Sequence, residues 1–170
     1  LNTDENGMLL EEFSSGFTAP IDGEESELAG PRPFPVYKGV KKNVKTIKTV
    51  PEFYQKIQVC LQEAPVNGKC FKFSQRTGEG TIDQWDVSKI TDMRNAFVNR
   101  EQFNGDLSNW NTTAVTSMQG MFKGAKRFNS PLTYWITTNV KDMDRMFDGA
   151  WEFDQPLNFL DTRNVKYMNY

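Results

Sequence analysis

Carboxylates are the abundant side chains here that could carry acid–base chemistry, because the chain of 170 residues has two cysteines and no histidine. That composition excludes Ser/His/Asp and Cys/His catalysis, histidine-ligated metals and histidine pH switches. It also excludes a four-cysteine zinc site. Asp83, Asp86, Asp92, Asp106, Asp142 and Asp144 remain. No pair of them recurs with an acid–base partner or an apolar setting that would shift a pKa, so they read as solvated surface rather than a glycosidase dyad. Asn104-Gly105-Asp106 matches part of a calcium loop, but the equivalent positions downstream are Asn129-Ser130-Pro131 and Asp154-Gln155-Pro156, which are turn sequences. Gly78 and Gly80 are not followed by the Lys-Ser/Thr of a phosphate loop. The expectation is a chain without catalytic residues, cofactor or metal. A net charge of −2 argues against nucleic acid as partner. The absence of an apolar run of about 18 residues argues against a membrane span.

The positions with the clearest spacing are apolar. Trp85, Trp110 and Trp135 stand 25 residues apart, and Leu160 takes the next place. Met93, Met118, Met143 and Met168 keep the same interval, as do Phe97, Phe122 and Phe147, then Phe103, Phe128 and Phe153. Ile90, Val115, Val140 and Val165 form another column, and Ile82, Leu107, Leu132 and Leu157 another. Polar columns accompany them: Asn104, Asn129 and Asp154, and Thr112, Thr137 and Thr162. Such a repeat dictates the architecture before any local propensity does.

Ile90, Met93 and Phe97 fall at i, i+3 and i+7, the stripe of a short helix, with Thr91-Asp92 as N-cap and Gly124 and Gly149 near the helix ends of later copies. Phe103, Leu107 and Trp110 suit a tight turn into a short strand. One unit cannot bury Met, Phe, Leu and Trp alone, whereas stacked units can. Aromatics on the outside of such a stack could bind sugars; inside they are core. The tryptophans are expected in the core, and the threonines as a column of turn hydrogen bonds.

Trp85-Asp86-Val87-Ser88-Lys89-Ile90-Thr91-Asp92-Met93, then Met121-Phe122-Lys123-Gly124-Ala125 and Phe128-Asn129, resemble the repeats of the BspA-like leucine-rich-repeat surface proteins. The resemblance covers roughly residues 80–170 and extends to members from algae and other protists. Ala96, Ile136 and Leu160 depart from the family pattern with core-compatible residues. The resemblance implies an α/β fold, a short leucine-rich-repeat-like solenoid with one short helix and one short strand per 25-residue coil. It implies no catalytic residue.

At the amino-terminal side of the repeats, Pro51 suits a first helical turn, and Phe53, Ile57, Cys60 and Leu61 make one apolar face, predicting a cap helix over 50–63. A turn at Asn67-Gly68 would return Cys60 to Cys70, as a disulfide or as two buried thiols. Algal members resemble the chain in having a Cys-containing segment here, which favours the cap and leaves the redox state open. The expected organisation is an arm over 1–49, a cap over 50–77 and about four repeats over 78–170, the last incomplete. The fourth copy halts before its Met-Phe pair, which suggests further chain or a packing partner there. The chain opens on Leu1 without a secretory signal, which suggests a removed leader or a partial chain.

The arm has segregated charge: eight acids and no base over 1–30, then six bases and no acid over 31–49. Its glycines and prolines favour extended chain. Phe13, Phe17, Phe34 and Tyr37 are its candidate anchors on a partner. The functional expectation is a non-enzymatic interaction or scaffold protein, an accessory subunit of a larger assembly such as an algal membrane complex. Its partners would be protein, with peripheral membrane association compatible through the basic stretch. The alternative is an adhesin binding polysaccharide through exposed Trp or Thr columns. Either fits an extracytoplasmic surface or a plastid.

Overall fold

A computed structural model describes residues 45–169. The arm anchors Phe13, Phe17, Phe34 and Tyr37 lie outside the described residues. Helix α1 spans Val50–Glu63. The Thr49 hydroxyl accepts from the Glu52 amide, and the Glu52 carboxylate accepts from the Lys48 amide, so the first turn is closed from both sides. Phe53, Ile57, Cys60 and Leu61 are its buried face. Helix α2, Phe71–Thr77, begins where the Glu63 carboxylate accepts from the amides of Lys72 and Phe73 at 2.7 and 2.9 Å. A 3-10 turn, Ile82–Gln84, leads into the repeats.

Four coils follow: residues 85–109, 110–134, 135–159 and the partial 160–169. They stack, but the expected α/β solenoid with a helix and a strand per coil does not form. Among the described residues, every helix precedes Trp85, and no strand exists. Pairing is limited to isolated parallel bridges, Asp92 to Ser117, Ser117 to Asp142, Asp142 to Tyr167, and Thr46 to Asp86.

The cause lies in where the amides point. The N–H groups of Met93, Asn95, Phe97 and Asn99 donate to Ser117, Gln119, Met121 and Lys123 of the next coil at 2.7–3.0 Å. Met118, Gly120, Phe122 and Gly124 repeat the pattern onto Asp142, Asp144, Met146 and Asp148. The amides between them close turns within the coil, Ala96 onto Met93 and Val98 onto Asn95. No i to i−4 ladder is left for a helix. The backbone also turns left-handed at Asn95 and Asn99, both at φ 56°, and at Gly120, Gly124, Arg145 and Gly149 in the same columns. A left-handed residue at every fourth position interrupts helix and strand alike. A Cβ at Gly120 would meet the Asn95 side-chain oxygen, which would have to shift.

Two ladders of rings fill the interior. Phe97, Phe122 and Phe147 stack at 5.5 and 5.6 Å, and Phe103, Phe128 and Phe153 at 6.1 and 5.8 Å, all within 9° of parallel. Within each coil the two phenylalanines also stack, at 4.4, 3.9 and 4.1 Å. Met93, Met118 and Met143 are buried beside them, whereas Met168 of the partial coil is exposed.

Candidate functional site

The cap imitates a coil. The Val66 carbonyl accepts from the Asn104 amide, just as the Asn104 side-chain oxygen accepts from Asn129, and that of Asn129 from Asp154. The Ile82 carbonyl accepts from the Trp110 indole at 2.8 Å, the place Leu107 fills for Trp135 at 2.9 Å. Cys60 and Cys70 are joined in a disulfide with both residues wholly buried, holding α1 against the turn that carries the Val66 carbonyl. Thr46 and Ile47 anchor the preceding segment. The Ile47 amide donates to Asp86, and Ile47 is buried.

The tryptophan column is interior. Trp85, Trp110 and Trp135 are buried, and each indole N–H is committed to a backbone carbonyl. Thr112 and Thr137 are buried too. Each hydroxyl donates to a carbonyl of the next coil, Ile136 or Asp161, and accepts that residue's amide at 2.9 and 2.8 Å. Thr162, in the partial coil, is the exposed member of that column.

Two of the candidate carboxylates, Asp86 and Asp92, are tied into local hydrogen bonds. Burial alone would raise the Asp86 carboxyl, but hydrogen bonds from Thr46 and Ser88 hold it below its usual value. Asp92 is likewise held low against burial by Arg94, through both carboxylate oxygens. Burial, reinforced by Asp92, pushes Tyr54 up to about 12, and its hydroxyl donates to the Arg94 carbonyl. Among the described residues no cluster of acids or cysteines is arranged to hold a metal ion. No helix among them is long and apolar enough to cross a membrane.

A family profile described as Mycoplasma protein of unknown function, DUF285, matches residues 68–170. The chain belongs to the DUF285 family. No curated protein and no solved structure matches it. The DUF285 match starts at Gly68, whose carbonyl accepts from the Ile82 amide, so it takes in the last turn of the cap as well as the coils.

The outer surface of the DUF285 region carries features that the apolar columns did not disclose. Opposite charges 25 residues apart meet between coils: Glu101 with Lys126 at 2.8 Å and Lys123 with Asp148 at 2.6 Å. Trp151 is 77% exposed and stands in the Glu101–Lys126 column, with the Lys126 ammonium 5.1 Å from its ring. Tyr134 is 59% exposed. The signal for Trp151 was in the sequence: it is the one tryptophan off the 25-residue column, at a position charged in the two preceding copies.

Proposed function

We propose that this DUF285 chain is a non-enzymatic protein-interaction module of the BspA-like surface-repeat type, an accessory subunit attached to a larger assembly. Trp151 carries the reading. An exposed indole under an ammonium group, fixed on a closed stack, is the kind of side chain that anchors protein interfaces. Rim ion pairs between coils keep the surrounding face polar, and such charges favour register over raw affinity. The charge-segregated residues 1–44, with Phe13, Phe17, Phe34 and Tyr37, supply a second contact. Burying those rings would offset the cost of ordering the segment.

The test is co-purification with mass spectrometry from the native source, comparing the full chain with residues 45–170 and with Trp151→Ala. The shortened form keeps Thr46 and Ile47, and the Trp151 side chain is not core, so both should fold. Partner recovery should fall in each. Equal recovery of the same partners by all three forms would sink the reading.

A further inference from the structure

We propose that Asn111 is an acceptor for an N-linked glycan. Asn111-Thr112-Thr113 satisfies the Asn-x-Ser/Thr rule, and no other asparagine within residues 1–168 does. The side chain is set up on one side only. The Asn111 side-chain oxygen accepts from the Thr113 amide at 3.1 Å and from the Thr113 hydroxyl. Among the described residues nothing accepts from its Nδ2. The residue is half-buried between the buried Trp110 and Thr112, so part of it reaches the surface.

The repeat itself isolates what is special here. Asp86 and Asp161 occupy the same column and make the same turn, accepting from the amides of Ser88 and Arg163 at 3.0 and 3.1 Å. A carboxylate therefore serves the fold equally well. Ile136 stands in that column of the third coil. An amide followed by a hydroxyl two residues on occurs in one coil only, and it adds a nucleophilic nitrogen that the turn does not need.

The Cys60–Cys70 disulfide is an independent observation in the same direction. Structural disulfides belong to oxidising compartments, where glycan transfer also operates. In the transfer, the Asn111 Nδ2 attacks the anomeric carbon of a lipid-pyrophosphate-linked sugar. The carbon–nitrogen bond forms, the bond to the pyrophosphate oxygen breaks with its electron pair, and one proton leaves the nitrogen. The glycan would keep the face around Asp86, Asn111 and Asp161 hydrated, leaving partner contacts to other faces such as that of Trp151.

The test uses the full chain secreted from a eukaryotic cell line, digested with peptide-N-glycosidase in heavy-oxygen water. One glycoform is expected, its excess mass lost on digestion and the Asn111 peptide returned as heavy-oxygen aspartate. Asn111→Asp copies the flanking turns, so it should fold with an unchanged circular dichroism spectrum and carry no glycan. Thr113→Ala should lose the glycan with Asn111 still present, and Thr113→Ser should keep it. An Asn111 peptide recovered as plain asparagine, in a sample whose Cys60–Cys70 bond is oxidised, overturns the proposal. A glycan retained by Thr113→Ala overturns it as well.

Discussion

Thr112 and Thr137 occupy buried positions that an aliphatic side chain of the same shape would fill equally well, yet their hydroxyls join two coils by donating and accepting at once. Thr112→Val keeps the volume and leaves the amide and carbonyl of the half-buried Ile136 without that partner. An unsatisfied buried group costs about 1–3 kcal/mol, so the variant should lose stability in that range, whereas Thr112→Ser should lose much less. Urea unfolding of the three forms decides it. Asp86 sets a pH dependence. Its folded pKa lies below the usual 3.8, so the unfolded chain takes up a proton first as pH falls. Its contribution is therefore present above the unfolded value and is lost as pH drops through the folded one. Thr46→Val removes the hydroxyl that holds the carboxylate low. The variant should be less stable at neutral pH, and its unfolding midpoint should fall less steeply below about pH 4. An unaltered slope would show that Thr46 does not hold the carboxylate low.

At the level of elements, the cap depends on a short covalent loop. Linking Cys60 to Cys70 closes a small ring of chain, worth about 2–3 kcal/mol through the unfolded state. Cys60→Ala with Cys70→Ala should cost at least that, since α1 and α2 otherwise share little but the Glu63 carboxylate at the start of α2. Thermal unfolding followed by circular dichroism should show a lowered midpoint, with the coils still folding below it. α1 was legible from Pro51 and its four apolar positions, and the coil length from columns that never slip. The element type within the coils was not. Ile90, Met93 and Phe97 at i, i+3 and i+7 fit a helix, but linked turns bring the same residues inward. What distinguishes them is backbone handedness at Asn95, Gly120 and Arg145: Asn and Gly tolerate the left-handed region, but Arg gives no such signal, so the column does not announce it. Gly124 and Gly149 hinted at left-handed backbone, but a glycine reads equally well as a helix terminus. Trp151 escaped for the opposite reason: a search for conserved spacing passes over the residue that breaks its column.

Across the described residues, each coil is covered by what stands before and after it. The first coil is covered by α1, whose Tyr54 hydroxyl reaches the Arg94 carbonyl and whose Phe53 meets Trp110 edge-on at 5.6 Å. The second coil has neighbours on both sides, and its Phe122 is wholly buried among Phe97, Phe128 and Phe147. The third is covered only in part by residues 160–169, and Phe147 and Phe153 are half-buried. Stability in stacked repeats is a sum of nearest-neighbour terms, so the second coil should be held from both sides. Amide exchange reads this directly. Gly120, Phe122 and Gly124 donate to the next coil and should be the slowest amides of the repeats. Phe122→Ala should cost about 3–5 kcal/mol. Fast exchange at Gly120, Phe122 and Gly124, or a Phe122→Ala cost no larger than that of an exposed residue, would refute a stack stabilised by nearest neighbours.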